Sequence, residues 1–314
     1  MKFSNPSTPA ARRGAALMAV IWLIAILALA CMATLRVLSF DMEIATAKIH
    51  GSRARQVAEM GIAVGCNPSI KNNEDPLLHH ADGETGESFD VEILPEGCRF
   101  NINAIILRGD KPLLKEIFTR WGMESDDAQE IVDSLCDWVD ADDNEELNGA
   151  EKQYYEKEGR INQPFNRPFY DLNEVILVKG MDRVEAMHPE WRDWFTIWSG
   201  GPLDINEASK ELIAAAAEVP DDQADIITET AWGTDGLRDT DDDAHFQDVA
   251  SALELLGIDA SERPDIAQRF TVNDTTTRIE STGTAEGSKR KINVILRNRQ
   301  GRPALLERTE EIIP

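Results

Sequence analysis

No aspartate or glutamate occurs before Asp41, although the chain of 314 residues carries a formal net charge of -25. The acid is confined to the body that follows, and an acidic body repels phosphate backbones, which argues against nucleic acid as a partner. Cysteine is scarce. Cys31, Cys66, Cys98 and Cys136 stand at spacings that match no zinc pattern. Cys31 reads as a small hydrophobe in an apolar run, and for Cys66 and Cys98 a disulfide and free buried thiols both stay open. The five histidines include no i, i+4 pair, and the adjacent His79 and His80 read as solvated loop residues. G-x-S-x-G, H-E-x-x-H and a phosphate-cradling glycine loop are all missing. Nothing places two carboxylates around a pocket as a hydrolase of that kind requires. The chain reads as no enzyme.

What is present first is a long apolar run. Ala15 to Leu35 is interrupted only by Thr34, long enough to cross a hydrocarbon core of about 30 Å as a helix. Lys2, Arg12 and Arg13 precede it, which puts that side in the cytoplasm and the body outside. A cleaved secretory signal needs a shorter core and a small-residue exit, whereas the exit here is Ala33-Thr34-Leu35-Arg36. A plain anchor explains the hydropathy but leaves Gly14, between Arg13 and the first apolar residue, without a purpose.

A basic leader ending in glycine, followed at once by such a run, resembles a type IV pilin or pseudopilin precursor. The resemblance implies that prepilin peptidase cuts between Gly14 and Ala15 and that Ala15 is N-methylated, so that the apolar helix is kept. Pilins usually carry glutamate at the fifth position after the cut. Here that position is Ala19. A lone carboxylate in hydrocarbon is costly without a partner, so its loss suits a subunit with no neighbour ahead of it. Within the class, Ala19 and the large size resemble the general secretion pathway protein K family, the minor pseudopilins of type II secretion systems.

The rest of the chain divides accordingly. Residues 1–14 read as leader, 15–35 as transmembrane segment and 36–103 as the continued helix, bent at Gly51 or Gly61, and a first hairpin. That hairpin is expected in SFDVEILPEGCRFNIN, where Phe89, Val91, Ile93, Phe100 and Ile102 alternate about Pro95-Glu96-Gly97. Residues 104–268 read as helical, and 269–314 as strands and a tail, with a turn at Ala285-Glu286-Gly287-Ser288. Strands flanking a helical block imply an α+β fold: a pilin-like long helix with a small antiparallel sheet and a large inserted α-domain, as the resemblance also implies.

Two segments of the insertion repeat. Asn101-Ile102-Asn103, Leu113-Leu114, Asp126 to Ile131 and Trp138 are echoed by Asp204-Ile205-Asn206, Leu212-Ile213, Asp221 to Ile226 and Trp232. Each reads as a helix-hairpin-helix unit. The second hairpin, Glu218 to Asp222, lacks glycine and holds three acids, which suits a scaffold and not DNA. Trp191, Trp194 and Trp198 have helical spacing and read as core. Asn173-Glu174 reads as a helix start with Gly180 at its end.

The densest chemistry is SLCDWVDADDNEELNGAEKQYYEKEG. Calcium takes hard oxygen ligands from a tight loop closed by a carboxylate. Asp140, Asp142 and Asn144 match the first, third and fifth positions of a twelve-residue loop, and Glu151 the closing one. Glu145 occupies the glycine position, so Asp137, Asp143 and Glu146 stand as further candidate ligands. The run from Asp137 through Tyr155 is the stretch most like protein K, where the resemblance implies a calcium-binding part of the α-domain. A solvated acidic loop is the alternative. Asp239, Asp241 and Asp243 alternate too, but no acid closes that loop, and it reads as surface.

These features predict a non-catalytic tip subunit of a periplasmic pseudopilus, needed for protein export across the outer membrane. It is held in the inner membrane by one span with its body in the periplasm, and partnered by other minor pseudopilins. A single-span, calcium-dependent binding module outside any filament is the alternative.

Overall fold

A single helix, α1 (Ala10–Gly65), runs through the apolar segment and on into the body. At 1.5 Å per residue it is about 84 Å long. The computed structural model describes residues 10–71, 73–233, 235–238, 240 and 242–313, with side chains from Leu17 onward. Lys2 and the first nine residues of the expected leader lie outside the described residues, as do Asp239 and Asp241. From Leu17 to Met42 the large apolar side chains of α1 are all exposed. The helix is unbroken at the glycines where a bend was expected; Gly51 and Gly61 lie within it and touch the sheet.

The next elements are β1 (His79–Ala81), β2 (Ser88–Pro95), β3 (Phe100–Asn101), α2 (Ile102–Leu107), α3 (Lys111–Arg120) and α4 (Ser125–Val139). They are followed by α5 (Lys152–Lys157), α6 (Met181–Met187), β4 (Phe195–Thr196), β5 (Leu203–Asp204), α7 (Lys210–Ala217) and α8 (Asp221–Ala231). Last come α9 (Val249–Leu255), α10 (Pro264–Ala267), β6 (Phe270–Thr271), β7 (Thr276–Ala285), β8 (Ser288–Arg297) and β9 (Ala304–Ile313).

One antiparallel sheet has the order β1-β2-β7-β8-β9. Its apolar face meets the second half of α1: Val57 and Ala58 pack with Phe89, Val91, Ile279, Ile292 and Val294. Alternation along β7 and β8 supplies that face and leaves the polar residues on the other side. The contact is close because the chain is small there. A Cβ on Gly283 would stand 2.2 Å from the Ala54 carbonyl oxygen and 2.4 Å from the Ala58 nitrogen. Ala285 pairs with Ser288 across Glu286 and Gly287, both at positive φ, the two-residue turn whose twist matches antiparallel strands.

The sequence suggested a hairpin about Pro95, and the structure differs. β2 pairs with β7, while Phe100 and Asn101 pair in parallel with Phe195 and Thr196. Two local preferences explain it. The Asn101 side chain accepts the Ala104 N–H at 3.0 Å and so starts α2 at Ile102. Glu96, 1% exposed, turns inward to Arg278 at 2.8 Å, which commits the turn to the sheet instead of to a returning strand. Phe270 likewise leaves the main sheet and pairs with Leu203.

The insertion has its own core, in which Trp138, Trp191, Tyr155, Phe118 and Phe195 are the largest buried side chains. The sequence repeat is a structural one and reaches further than the helices. Asn103 donates to the Phe169 carbonyl at 2.9 Å and accepts the Phe169 N–H at 2.8 Å. Asn206 does the same to Phe246, at 3.1 and 2.8 Å. Each copy therefore begins on a short strand and, after a run of helices, uses its asparagine amide to fix a returning phenylalanine. Arg269, 3% exposed, joins the copies by bonding Asp110, Glu218 and the Ala216 carbonyl.

Other local expectations shift. Trp191 is buried in a short 3-10 turn, but the chain is extended by Phe195, and Trp198 donates to Glu307 of β9 at 3.0 Å. Residues 172–177 form a 3-10 turn, and Gly180, at φ 85°, starts α6 instead of ending a helix. His79 to Ala81 is an edge strand, not loop, with His79 against Asp90. All four cysteines are free, and burial pushes the Cys66 and Cys98 thiols upward in pKa.

Candidate functional site

Two places bear on function. The first is the exposed half of α1. Leu17 to Gly65 is long and apolar enough to cross a membrane, with a mean hydropathy of 2.6 in its most apolar window. Ala19 lies on this exposed stretch. Gly14 and Ala15 fall on the helix backbone, and their side chains lie outside the described residues.

The second is a carboxylate group at the C-terminal end of α4. Helix α4 continues to Val139, so Asp137 and Asp140 stand three residues apart on one side of its last turn. The loop that follows folds back on Asp137. Its Oδ2 accepts the Ala150 N–H at 2.8 Å, and Oδ1 accepts the Glu146 N–H at 3.2 Å. Gly149 makes this possible, because a Cβ there would lie 1.8 Å from Asp137 Oδ2. The return brings Glu151 to the group, and one carboxylate oxygen each from Asp137, Asp140 and Glu151 lie within 4.8 Å of one another.

Asp137 is wholly buried and Glu151 is 4% exposed, and neither Glu151 oxygen has a donor in good hydrogen-bond geometry, the Lys152 N–H lending it only minor support. A buried acceptor without a good donor is costly. Burial, with the Asp137 charge next, pushes the Glu151 carboxyl up to about 7. Burial outweighs two backbone donors and lifts Asp137 to about 6. Burial also raises Asp140. Three crowded carboxylates that resist ionisation form a site a divalent cation would relieve, and their hard oxygens suit calcium.

The expected ligand set is thus gathered in part. Asp140 and Glu151 meet with Asp137, which a twelve-residue frame starting at Asp140 leaves out. Asp142 instead accepts the Asn144 N–H at 2.8 Å in an exposed turn. Asp143 accepts from Asn166 at 3.2 Å, and Glu146 pairs with Lys111 at 2.8 Å. Two buried amide oxygens in the segment that crosses this loop, Gln163 Oε1 and Asn166 Oδ1, also lack donors. Counting along one loop could not find them, since they lie beyond its closing residue. In the second acidic run the Thr240 hydroxyl contacts Asp242 and Asp243 at 2.9 and 3.1 Å.

Comparison with known proteins agrees with this anatomy. The family model "Type II secretion system (T2SS), protein K" matches residues 98–188, which include the carboxylate group. The type II secretion system protein K of Pseudomonas aeruginosa is 25% identical over 258 residues, 74% of this chain and 75% of that one. Its counterpart in Klebsiella pneumoniae is 37% identical over 106 residues, 31% of this chain and 32% of that one. These matches make the chain similar to the type II secretion system protein K family. Its fold is that of a solved structure described as the GspK-GspI-GspJ complex from the enterotoxigenic Escherichia coli type 2 secretion system. That match has a TM-score of 0.62 at 15% identity and covers 87% of this chain and 98% of that one. The chain thus has the pilin-like helix and sheet and the inserted α-domain that its sequence implies.

Proposed function

We propose that this chain is a protein K, the non-catalytic tip subunit of a periplasmic pseudopilus that serves protein export across the outer membrane. One observation carries the reading. The bulky insertion leaves the sheet at Pro95 and returns at Thr276, beside Thr277, the residue paired with Pro95. This is the end where α1 finishes at Gly65 against Ile279, away from the exposed apolar half. A subunit so shaped presents a helix to those below it and a broad obstacle to any above. The alanine at position 19 supports the same place, because no carboxylate is offered to a preceding neighbour.

In this reading Ala15 to Leu35 holds the protein in the inner membrane by one span with its body in the periplasm. Prepilin peptidase cuts after Gly14, and the new terminus at Ala15 is N-methylated. Its partners are other minor pseudopilins, consistent with the company kept by the protein of similar fold. Mass spectrometry of the mature N-terminus is the test. A methylated alanine at position 15 is expected, with unprocessed precursor in a Gly14→Asp variant. An intact Met1, or a cut beyond Thr34, would remove the filament reading and leave the tethered binding module.

The carboxylate group is proposed to hold calcium. Glu151, buried with neither oxygen well donated, supports it, and Asp137 and Asp140 would complete the acidic ligands. Bound there, the cation would neutralise the three carboxylates and hold the loop against α4. Calorimetric titration of the full chain in detergent should show calcium binding that an Asp140→Ala, Glu151→Ala double variant loses.

A further inference from the structure

A strap of residues 159–170 crosses the acidic loop. Its ends are fixed from elsewhere. Arg160 donates to the Leu177 carbonyl at 2.5 Å, and Phe169 is held by the Asn103 amide. Its middle rests on the acidic loop, where Asn166 Nδ2 donates to the Asp142 carbonyl at 2.9 Å and to Asp143 Oδ1 at 3.2 Å. Both acceptors require a donor, so the orientation of this amide is decided by its bonds. Asn166 Oδ1 is then directed away from them, buried and without a donor, and Gln163 Oε1 is in the same condition. Phe165 between them packs on Trp138, the neighbour of Asp137, at 5.3 Å.

Buried side-chain oxygens rarely go without partners. Here the two Glu151 oxygens and these two amide oxygens lack a well-placed one, in a loop and the strap bonded to it. Calcium takes about six to eight oxygens, and carbonyl oxygens of side-chain amides are among its ordinary ligands. Three carboxylates supply more charge than the ion carries and, unless all are bidentate, too few atoms. Neutral oxygens would raise the ligand number without adding charge.

We propose that Gln163 and Asn166 are neutral oxygen ligands for the cation at Asp137, Asp140 and Glu151, so that the ion clasps the strap onto the acidic loop. This rests on the calcium reading above. The strap closes when the ion enters and loosens when it leaves. Asn166 also holds the acidic loop through its nitrogen, whereas Gln163 is the cleaner probe.

The test uses the full chain in detergent with calcium chloride as the only added ligand. Gln163→Leu replaces an undonated oxygen by an apolar group of similar shape, which favours the calcium-free fold. Its calcium-free melting midpoint should stay level or rise while calcium affinity falls about tenfold, a loss typical of ligand-shell changes. Gln163→Glu, which keeps an oxygen at the cost of a fourth charge, should retain more of the calcium affinity than Gln163→Leu does. Chymotrypsin cleavage after Phe165 should be suppressed by calcium in the unaltered protein and much less so in Gln163→Leu. Equal affinity and equal protection in Gln163→Leu overturn the clasp and leave the three-carboxylate site standing. No calcium binding by the unaltered protein overturns both.

Discussion

The Asp137 and Glu151 carboxylates share one buried group at the end of α4, and Asp137 is the leading charge, after burial itself, that pushes Glu151 to about 7. The sign of the pH dependence follows. Both groups have folded pKa values above their ordinary 3.8 and 4.5, about 6 and about 7. Between about pH 4 and 7 the folded state therefore holds more protons than the unfolded one, and stability falls as pH rises. Their contribution is complete below the unfolded values and is lost as pH passes through 6 to 7. For the coupled pair this is on the order of 3 kcal/mol. Calcium-free protein should melt higher at pH 5 than at pH 7.5 by more than a Glu151→Gln variant does. Identical pH slopes in the two proteins would contradict the burial described for Glu151.

Calcium should reverse that trend. A cation favours the ionised carboxylates, so its affinity should climb as pH rises from 5.5 to 7.5. Glu151→Gln should abolish the titration and, at pH 7.5, raise calcium-free stability by about 1–2 kcal/mol, since a buried charge without a good donor is removed. A variant that is destabilised without calcium would show that the carboxylate has a good donor after all.

Arg269 joins the two halves of the insertion, and its loss should be felt globally. It is 3% exposed and bonds Asp110 through two nitrogens, at 2.8 and 2.9 Å. Removing one member of such a buried pair leaves the other charged and unmatched, at about 3–5 kcal/mol. Arg269→Met should lower unfolding free energy by that order in urea titrations. Arg263→Ala, at an exposed pair with Asp265, should leave the urea midpoint nearly unchanged, because solvent screens such a pair. Comparable losses in both would mean that burial does not distinguish them.

The sequence carried the architecture because its largest signals are local and periodic. The apolar run, the alternation in β7 and β8, the Glu286-Gly287 turn and the capped helix pairs each follow from neighbours along the chain. What it hid depends on distant partners. Alternation around Pro95 is the same whether Phe100 returns beside β2 or crosses to Phe195, and only the Glu96–Arg278 pair and the Asn101 cap decide it. The carboxylate group was half legible. Asp140 and Glu151 stand in a recognisable loop, and Asp137, a further candidate beside it, joins because α4 runs to Val139 and sets it one turn before Asp140. Gln163 and Asn166 reach the loop by a strap whose ends are tied through Asn103 and Leu177. The matching Asn103–Phe169 and Asn206–Phe246 pairs show the repeat to be deeper than the helices that first revealed it.

Gly283 supports the helix-to-sheet contact on which the tip reading rests, and it can be tested alone. A Cβ at this position meets backbone atoms of α1, the Ala54 oxygen at 2.2 Å and the Ala58 nitrogen at 2.4 Å. Backbone within a packed helix cannot swing aside as the end of a side chain can, so α1 and β7 must separate. Overpacking of this kind costs about 1–3 kcal/mol or more. Gly283→Ala should destabilise the body by at least that much and expose Arg53 and Arg55 to trypsin. Gly287→Ala supplies the contrast, because its Cβ meets nothing within 4 Å and only its φ of 79° is strained, for about 1 kcal/mol. If Gly283→Ala were the milder of the two, α1 would not lie against the sheet as closely as described. The exposed apolar half would then have no fixed relation to the insertion at the other end.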